Sequence, residues 1–357
     1  MRVSILGNGL TSLALAQMLA NEGISVDIFS NKRIIKYKKI QTLGISKTNI
    51  DFFNQNILSI KRLLWNINKI EIFTENLHDE KVIDFEDHNK KLFSIIRNLD
   101  LYKILNDSLK RNRLIKFKEK INSLNLIKED YKLIFNCDYN HPISKIFFFK
   151  KLEKNYNSLA YVTTFKHKRL SNNHSASQIF TKQGPLAFLP ISSTETSVVY
   201  SVKGKKSINL EELIKRYNKK YEILSINNSF CFRLKSSNLR SYYYKNIIAF
   251  GDMLHRLHPL AGQGFNMTIR DIKEIYKLIN FKKEHGLDLD ISIAKDFEKN
   301  TKNKNFLFSN GIDLIYELFN LESKFKNDKL SKSIQFLGKN ITMNKFLKNF
   351  ADKGLNI

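Results

Sequence analysis

The chain has 357 residues, with 60 Lys and Arg against 34 Asp and Glu for a formal net charge of +26, and 42% of its residues are hydrophobic. That length holds a large core and two domains but not two independent enzymes, and no run approaches the ~20 uninterrupted apolar residues of a membrane-spanning helix. The 2 cysteines, Cys137 and Cys231, form no Cys-x-x-Cys pair, and the 8 histidines show no metal-binding spacing. No disulfide framework and no metal site are therefore expected, and a reducing, cytoplasmic compartment fits. The lysines are spread along the whole chain without a basic-aromatic module, so the charge reads as a solvated basic surface and not as nucleic-acid binding. Adhesion to acidic lipid headgroups is the alternative.

In chain order, Val3-Ser4-Ile5-Leu6 reads as a strand, Gly7-Asn8-Gly9-Leu10-Thr11-Ser12 as a turn, Leu13 to Ala20 as a helix ended by Gly23, and Ile24 to Phe29 as the next strand. This is the strand-turn-helix-strand context of a dinucleotide fingerprint. Gly7 makes the tight turn, Gly9 lets backbone reach a pyrophosphate, and Ser12 fills the third position, which must be small. Ser30 and Asn31 stand where an acidic residue usually takes the ribose hydroxyls, and both can hydrogen-bond a ribose. Residues 1–20 superficially resemble a secretory leader, but its removal would delete the glycine turn, so they are read as the first βα unit.

Lys47–Trp65 reads as helices, Lys69–Thr74 as a half-buried strand, and Leu92–Lys110 as a strand end passing into a helix. Tyr131–Asp138 is a further strand ending in a carboxylate. The runs Ser158–Phe165, Ala187–Leu189 and Ser197–Val202 suit an antiparallel sheet inserted between two visits to the nucleotide-binding unit. Ile247-Ile248-Ala249-Phe250 then forms a buried strand with Gly251-Asp252 at its tip, followed by His258-Pro259-Leu260-Ala261-Gly262-Gln263-Gly264-Phe265-Asn266. This suits a bound flavin: the Asp252 carboxylate can accept hydrogen bonds from a sugar-alcohol chain, and the Gly262/Gly264 turn lets backbone approach a flat ring. Three helices, Met267–Phe281, Ile291–Lys304 and Gly311–Phe325, are expected after it.

With these motifs in this order, the chain resembles the FAD-dependent aromatic hydroxylases, and within them the ubiquinone-biosynthesis monooxygenases. Besides the two FAD turns, Gln41-Thr42-Leu43-Gly44-Ile45-Ser46 is similar to a helix-opening segment of that family, Asn98-Leu99-Asp100-Leu101 to the stretch entering the second FAD-side helix, and Gln183 to Pro190 to a sheet motif of the quinone branch. Two departures stand out. Gln41 occupies a position usually held by Arg, and Asp138-Tyr139-Asn140-His141-Pro142-Ile143-Ser144-Lys145 replaces an Asp-Gly motif followed by Ser and Arg that in the family serves FAD and the pyridine nucleotide.

The resemblance implies an α/β fold like that of para-hydroxybenzoate hydroxylase: a Rossmann-like FAD-binding domain (1–66, 92–153, 245–285), an inserted, mainly antiparallel substrate sheet (67–91, 154–244) and a C-terminal helical region (286–357). It implies hydroxylation of the ring of a polyprenylated phenol through a flavin C4a-hydroperoxide, with O2 as co-substrate and NAD(P)H or another donor supplying electrons. The helix opening at Gly264–Asn266 would point its N–H groups at the flavin, and Pro259 with Leu260–Gly264 would wall the ring. The cofactor-binding set is then Gly7, Gly9, Leu10, Thr11, Ser12, Ser30, Asn31, Gln41, Asn98, Asp252, Pro259, Gly262, Gln263, Gly264, Phe265 and Asn266, with no general base named.

His258 and His255 are flavin-loop candidates by proximity, with packing roles as the alternative. Phe147–Phe149 and Phe188 either line a lipophilic pocket or form sheet core. Expected partners are a lipophilic phenolic or quinone precursor, members of a ubiquinone-biosynthesis complex, and an anionic membrane at the inner face of the cell membrane. Docking would run through amphipathic helices around Leu314–Phe325 and Phe336–Phe350, unless these only cover the sheet. Two other readings stay open: a different FAD enzyme on the same fold, such as a hydroxylase of soluble aromatics or a prenyl-lipid reductase, and a degenerate flavin-fold scaffold of a quinone-biosynthesis complex.

Overall fold

The structure is a computed structural model describing residues 2–30, 40–77, 81–86, 91–119, 131–204, 208–258, 262–325, 332–333, 335–336 and 341–354. Helices run over Leu10–Asn21 (α1), Lys47–Asn56 (α2), Asn98–Lys110 (α3), Pro142–Phe147 (α4), Leu210–Tyr217 (α5), Gln263–Glu284 (α6), Ser292–Phe325 (α7) and Ile341–Lys353 (α8). A six-stranded sheet carries the order Tyr243–Tyr244, Ile247–Ala249, Leu133–Asn136, Arg2–Leu6, Ser25–Ser30, Ile115–Glu119. All its pairs are parallel except the Tyr243–Tyr244 edge hairpin. Arg2–Leu6 has Ser25–Ser30 on one side and Leu133–Asn136 on the other, so the strand order reverses there and a crevice opens at its carboxyl end.

The strands read as near-continuous apolar runs because both faces of a parallel sheet are covered. Val3, Ile5, Leu6, Val26, Ile28, Ile134 and Phe135 are all buried. Helix α1 is apolar all round because it packs against the sheet, α3 and α6 together. Asp27 is the buried carboxylate of this sheet, Glu119 at its edge being exposed. Burial works to raise its pKa, but hydrogen bonds from Tyr131, Lys118 and Arg2 outweigh it and hold the carboxyl below the ordinary 3.8.

The second sheet has the order His255–Arg256, Phe230–Leu239, Lys151–His167, Glu195–Lys203, Gly184–Pro190, Ser175–Thr181, Lys69–Thr74, Lys81–Glu86, with Ile223–Ile226 added on Lys151–His167. It is antiparallel apart from the parallel pair Ser175–Thr181 and Lys69–Thr74. The chain leaves the first sheet at Ala249 and enters the second at His255, so Gly251–Leu254 is the bridge between them.

Two expectations need correction. Lys47–Trp65 is not helical throughout: α2 stops at Asn56, and Trp65–Ile67 is a strand beside Phe93–Arg97, which also pairs with Thr42–Ser46. A tertiary contact decides this, because the Trp65 indole stacks on His174 at 4.8 Å and donates to the Asn173 carbonyl at 2.8 Å. Likewise, Ile291–Lys304 and Gly311–Phe325 are one continuous helix, α7. A glycine inside a helix costs about 1 kcal/mol, which burial of Phe308, Ile312, Tyr316 and Phe319 around Gly311 offsets.

Candidate functional site

Three turns meet at the carboxyl edge of the parallel sheet. Gly7, at φ 107°, donates its N–H to the Phe29 carbonyl at 2.8 Å. Gly9 caps α1 without a side-chain hydrogen bond, and the first turn of α1 carries no acidic residue. Its amides and the positive end of its dipole are left for an anion. Leu10 is buried in the core below. Ser12 and the backbone of Asp138 both lie against Gly7, 3.2 and 3.5 Å from the position a Cβ would take there. Beside them burial pushes the Cys137 thiol up to about 12; the Ser12 hydroxyl acts in the opposite sense, and the carboxylates of Asp138 and Asp252 add to the rise. The thiol therefore stays protonated, and two carboxylates from separate strand ends reach the same place.

Gly251 adopts φ 64°, and a Cβ there would lie 2.5 Å from Thr11 Cγ2. The first glycine turn and the Gly251-Asp252 tip are thus in direct contact, with Thr11 packed between them and Asp252 exposed at the tip. The third component is the start of α6. Gly262 caps it in the left-handed conformation at φ 63°, its missing side chain facing the Gly44 amide at 3.5 Å. Among the described residues nothing lies within 4 Å of a Cβ built on Gly264. Gln263 is buried and accepts from Arg270 at 3.1 Å, while Phe265 packs half-buried on the core.

The Asn266 side chain acts within the protein. Its Oδ1 accepts from the Ser46 N–H and from Asn49 Nδ2, both at 2.9 Å, and its Nδ2 donates to the Gly44 carbonyl at 2.9 Å. The side-chain amide is consumed inside the protein and ties the start of α6 to Thr42–Ser46 and α2. The Gln41 carbonyl accepts the Asn98 N–H at 3.0 Å, which sets the start of α3 beside the same strand. Asn98 Oδ1 is buried and finds no hydrogen-bond partner among the described residues. Ser30 ends its strand opposite Glu119 and is half-buried. Asn31, Pro259, Leu260 and Ala261 lie outside the described residues.

Sequence reasoning missed what locks this edge to the second sheet. Arg97 makes a two-pronged ion pair with Glu195, at 2.6 and 3.3 Å, and Thr42 Oγ1 donates to Ser197 Oγ at 3.0 Å. These partners are 98 and 155 residues apart in the chain, so no local signal exposes the pairs, although Thr42 fell inside the quoted Gln41–Ser46 motif. The altered segment after Asp138 closes on itself. Asn136 Nδ2 donates to Ser144 Oγ at 2.8 Å, Ser144 Oγ donates to the Asp138 carbonyl at 2.8 Å, and the Asn140 N–H donates to Asp138 Oδ1 at 2.9 Å. His141 caps α4, its Nδ1 accepting from the Ile143 N–H at 3.3 Å, and Lys145 is exposed.

Both candidate histidines are buried. His255 Nε2 meets Asp271 Oδ2 at 2.5 Å, and Asp271 Oδ1 accepts from Asn305 at 2.9 Å, a chain that joins the second sheet, α6 and α7. His258 is 1% exposed, stacks on Tyr316 at 4.2 Å and meets Tyr156 edge-on at 5.0 Å, with no hydrogen-bond partner for either ring nitrogen among the described residues. Desolvation lowers its pKa to about 4, so it is a neutral packing group and not a proton carrier at neutral pH. Because the unfolded chain binds a proton near pH 6.5 that the folded state refuses until about pH 4, this histidine costs stability as pH falls through that window. His258→Phe, which keeps an aromatic ring without the buried nitrogens, is expected to flatten the decline of the thermal midpoint between pH 6.5 and 4. Thermal melts of both proteins across that range measure it, and parallel curves would contradict it.

The phenylalanines do not form a shared pocket. Phe188 belongs to the core between the second sheet and α5, Phe148 to the core of the parallel sheet, Phe147 stacks on Tyr244 at 4.2 Å, and Phe149 is on the surface. Phe147 ends α4 and Phe148 is its C-cap at φ -121°, ψ 41°, so the three side chains leave the backbone in different directions as the chain exits the helix.

Among the described residues no cluster of His, Cys, Asp and Glu could hold a metal ion, and no helix is long and apolar enough to cross a membrane. The residues present fit FAD. Two helix starts without a side-chain cap and an exposed carboxylate at the strand tip meet at one crevice; among the described residues, Asn98 near Thr42–Ser46 carries a buried amide oxygen without a partner and Gly264 has open space over it.

No protein-family model matches the chain. In sequence it is similar to 3-demethoxyubiquinol 3-hydroxylase of Escherichia coli, 26% identical over 152 residues that make up 40% of this chain and 39% of that protein. It is also similar to the mitochondrial ubiquinone biosynthesis monooxygenase COQ6 of Schizosaccharomyces pombe, 22% identical over 250 residues, 56% of this chain and 52% of that one. The matched segments thus span about half or less of these relatives. In structure it is similar to p-nitrophenol 4-monooxygenase PnpA of Pseudomonas putida, with a TM-score of 0.79, 11% identity and coverage of 99% of this chain and 98% of that one. Klebsiella pneumoniae HpxO complexed with FAD and uric acid gives a TM-score of 0.73 at 10% identity, covering 99% and 96%. The fold is that of the FAD-dependent monooxygenases, and the sequence likeness is to those of ubiquinone biosynthesis.

Proposed function

We propose that this chain is an FAD-dependent monooxygenase that hydroxylates the aromatic ring of a polyprenylated phenol in ubiquinone biosynthesis, consuming O2 and taking electrons from NAD(P)H or another donor. The observation that carries this is the contact of Thr11 with Gly251, which brings the pyrophosphate-type turn and the strand-tip carboxylate of Asp252 to one crevice. The names of the sequence relatives supply the substrate class.

In this reading the first-turn amides of α1 hold the pyrophosphate, and Asp252 accepts hydrogen bonds from the ribityl hydroxyls. Asn98 offers its buried oxygen as an acceptor. When bound, FAD supplies the activation of O2 and the transfer of one oxygen atom to the ring. The chain's part is placement. The α6 N-terminus, uncapped by any side chain, presents N–H groups and about half a positive charge to whatever negative charge develops beside it. Gly264 keeps the approach clear, and Asn266 holds the helix start still.

The purified protein is expected to be yellow, or to become so with added FAD, and a strain lacking it should accumulate an under-hydroxylated prenyl-phenol precursor. A colourless protein that FAD cannot reconstitute, or normal ubiquinone in the deletion strain, would overturn the proposal.

A further inference from the structure

Two segments far apart in the chain form one surface that contains no acidic residue: 142–150, Pro-Ile-Ser-Lys-Ile-Phe-Phe-Phe-Lys, and 240–246, Arg-Ser-Tyr-Tyr-Tyr-Lys-Asn. They are joined by the hydrogen bond from the Arg240 N–H to the Lys150 carbonyl at 3.0 Å and by the stacked rings of Phe147 and Tyr244 at 4.2 Å. Ile146, Phe149 and Tyr244 project with 53, 60 and 40% of their surface exposed. The cations Lys145, Lys150, Arg240 and Lys245 are exposed around them, and Lys150 and Lys245 each lie 5.8 Å from an aromatic ring centre of the patch.

Large exposed apolar groups cost free energy in water unless something covers them. Here what covers them must be apolar at its centre and anionic at its margin, since every charged side chain of the two segments is positive, and the Glu298 carboxylate that accepts the Tyr242 N–H at 2.9 Å is itself paired with Lys302 at 2.7 Å. A bilayer interface containing acidic phospholipids meets both demands: aromatic side chains settle at headgroup depth while lysines contact the lipid phosphates. We infer that this face, made by α4, the turn after it and the Tyr243–Ile248 hairpin, seats the protein on an anionic lipid surface. The place differs from the C-terminal helices that the amphipathic pattern suggested. Tyr244 pairs with Ile247, the first residue of the Ile247–Ala249 strand, so the patch lies toward the amino edge of the parallel sheet, away from the Gly251-Asp252 tip at its carboxyl edge. The inference rests on the proposed hydroxylation of a prenylated ring only for why lipid contact is useful; the surface itself is independent of it.

Flotation with vesicles of phosphatidylcholine alone and of phosphatidylcholine with phosphatidylglycerol, at low and high salt, tests this. Binding is expected only to the anionic vesicles and only at low salt. Both Ile146→Ser/Phe149→Ser/Tyr244→Ser and Lys145→Glu/Lys150→Glu/Lys245→Glu should weaken it by about tenfold or more. The control Lys103→Glu/Lys110→Glu/Lys299→Glu removes equal charge from exposed positions elsewhere and should change it much less. Failure of the wild-type protein to float, unchanged binding by either patch variant, or an equal loss in the control would overturn the inference. Flavin absorbance read on the same samples separates the two proposals. A flavin-loaded protein that ignores vesicles removes the docking surface alone, whereas a colourless protein that binds through this patch removes the enzymatic reading alone.

Discussion

Gly251→Ala is expected to lose retained flavin and to be less stable by about 3 kcal/mol or more. Two costs combine at this position. An alanine held at φ 64° sits in backbone that L side chains rarely adopt, and its Cβ would lie 2.5 Å from Thr11 Cγ2 and 2.9 Å from Thr11 Oγ1. Relief requires the strand tip to move away from α1, which separates Asp252 from the Gly7–Ser12 turn. Because strain and collision are different in origin, a second substitution tells them apart. Thr11→Ala removes the two closest atoms and should restore part of the stability of Gly251→Ala but not all of it, a coupling that a double-mutant cycle in urea reads directly. Additive effects of the two substitutions would show that Thr11 and Gly251 do not press on each other.

Asn266→Leu is the second large effect. Leucine is close in size, yet it leaves the Gly44 carbonyl and the Ser46 N–H without their partner in a buried place and the Asn49 amide with only its 3.3 Å bond to the backbone carbonyl of residue 266. Each lost partner costs about 1–3 kcal/mol, so a loss of at least about 2 kcal/mol is expected. Flavin affinity should fall with it because the start of α6 is no longer held against Thr42–Ser46. Asn266→Asp is the informative comparison: it still accepts from Ser46 and Asn49 but sets a carboxylate against the Gly44 carbonyl, so it should fall between wild type and Asn266→Leu. Flavin titration alongside urea melts measures both. If Asn266→Leu weakened flavin binding without lowering stability, Asn266 would be a direct ligand and not the tie the geometry describes.

The strands Val3–Leu6 and Ile24–Phe29, the turn between them and the Gly251-Asp252 tip were legible because each is local. Glycine at a forced turn, a small residue at Ser12 and a run of apolar residues entering a sheet buried on both faces leave their mark within a few neighbours. The role of Asn266 was not legible. The sequence pointed to its N–H at the helix opening, and nothing local exposes the three side-chain partners, 217 to 222 residues away. His258 stood open between a flavin-loop role and packing, and its burial between Tyr156 and Tyr316 makes it a neutral packed ring. The single helix α7 was hidden by Gly311, whose local penalty marks a break that long-range burial overrides.

The sequence by itself determined that a glycine turn after a first buried strand and a carboxylate after a late one would each suit part of a flavin cofactor. Backbone conformation and hydrophobic period are set by near neighbours, so both features can be read from the chain alone. Only the tertiary structure decided that the two are one site, that Thr11 and Asn266 hold it together, and that lysines and aromatic rings from residues 142–150 and 240–246 share one face. Contacts between distant segments follow from which surfaces bury each other, and that depends on the whole core at once.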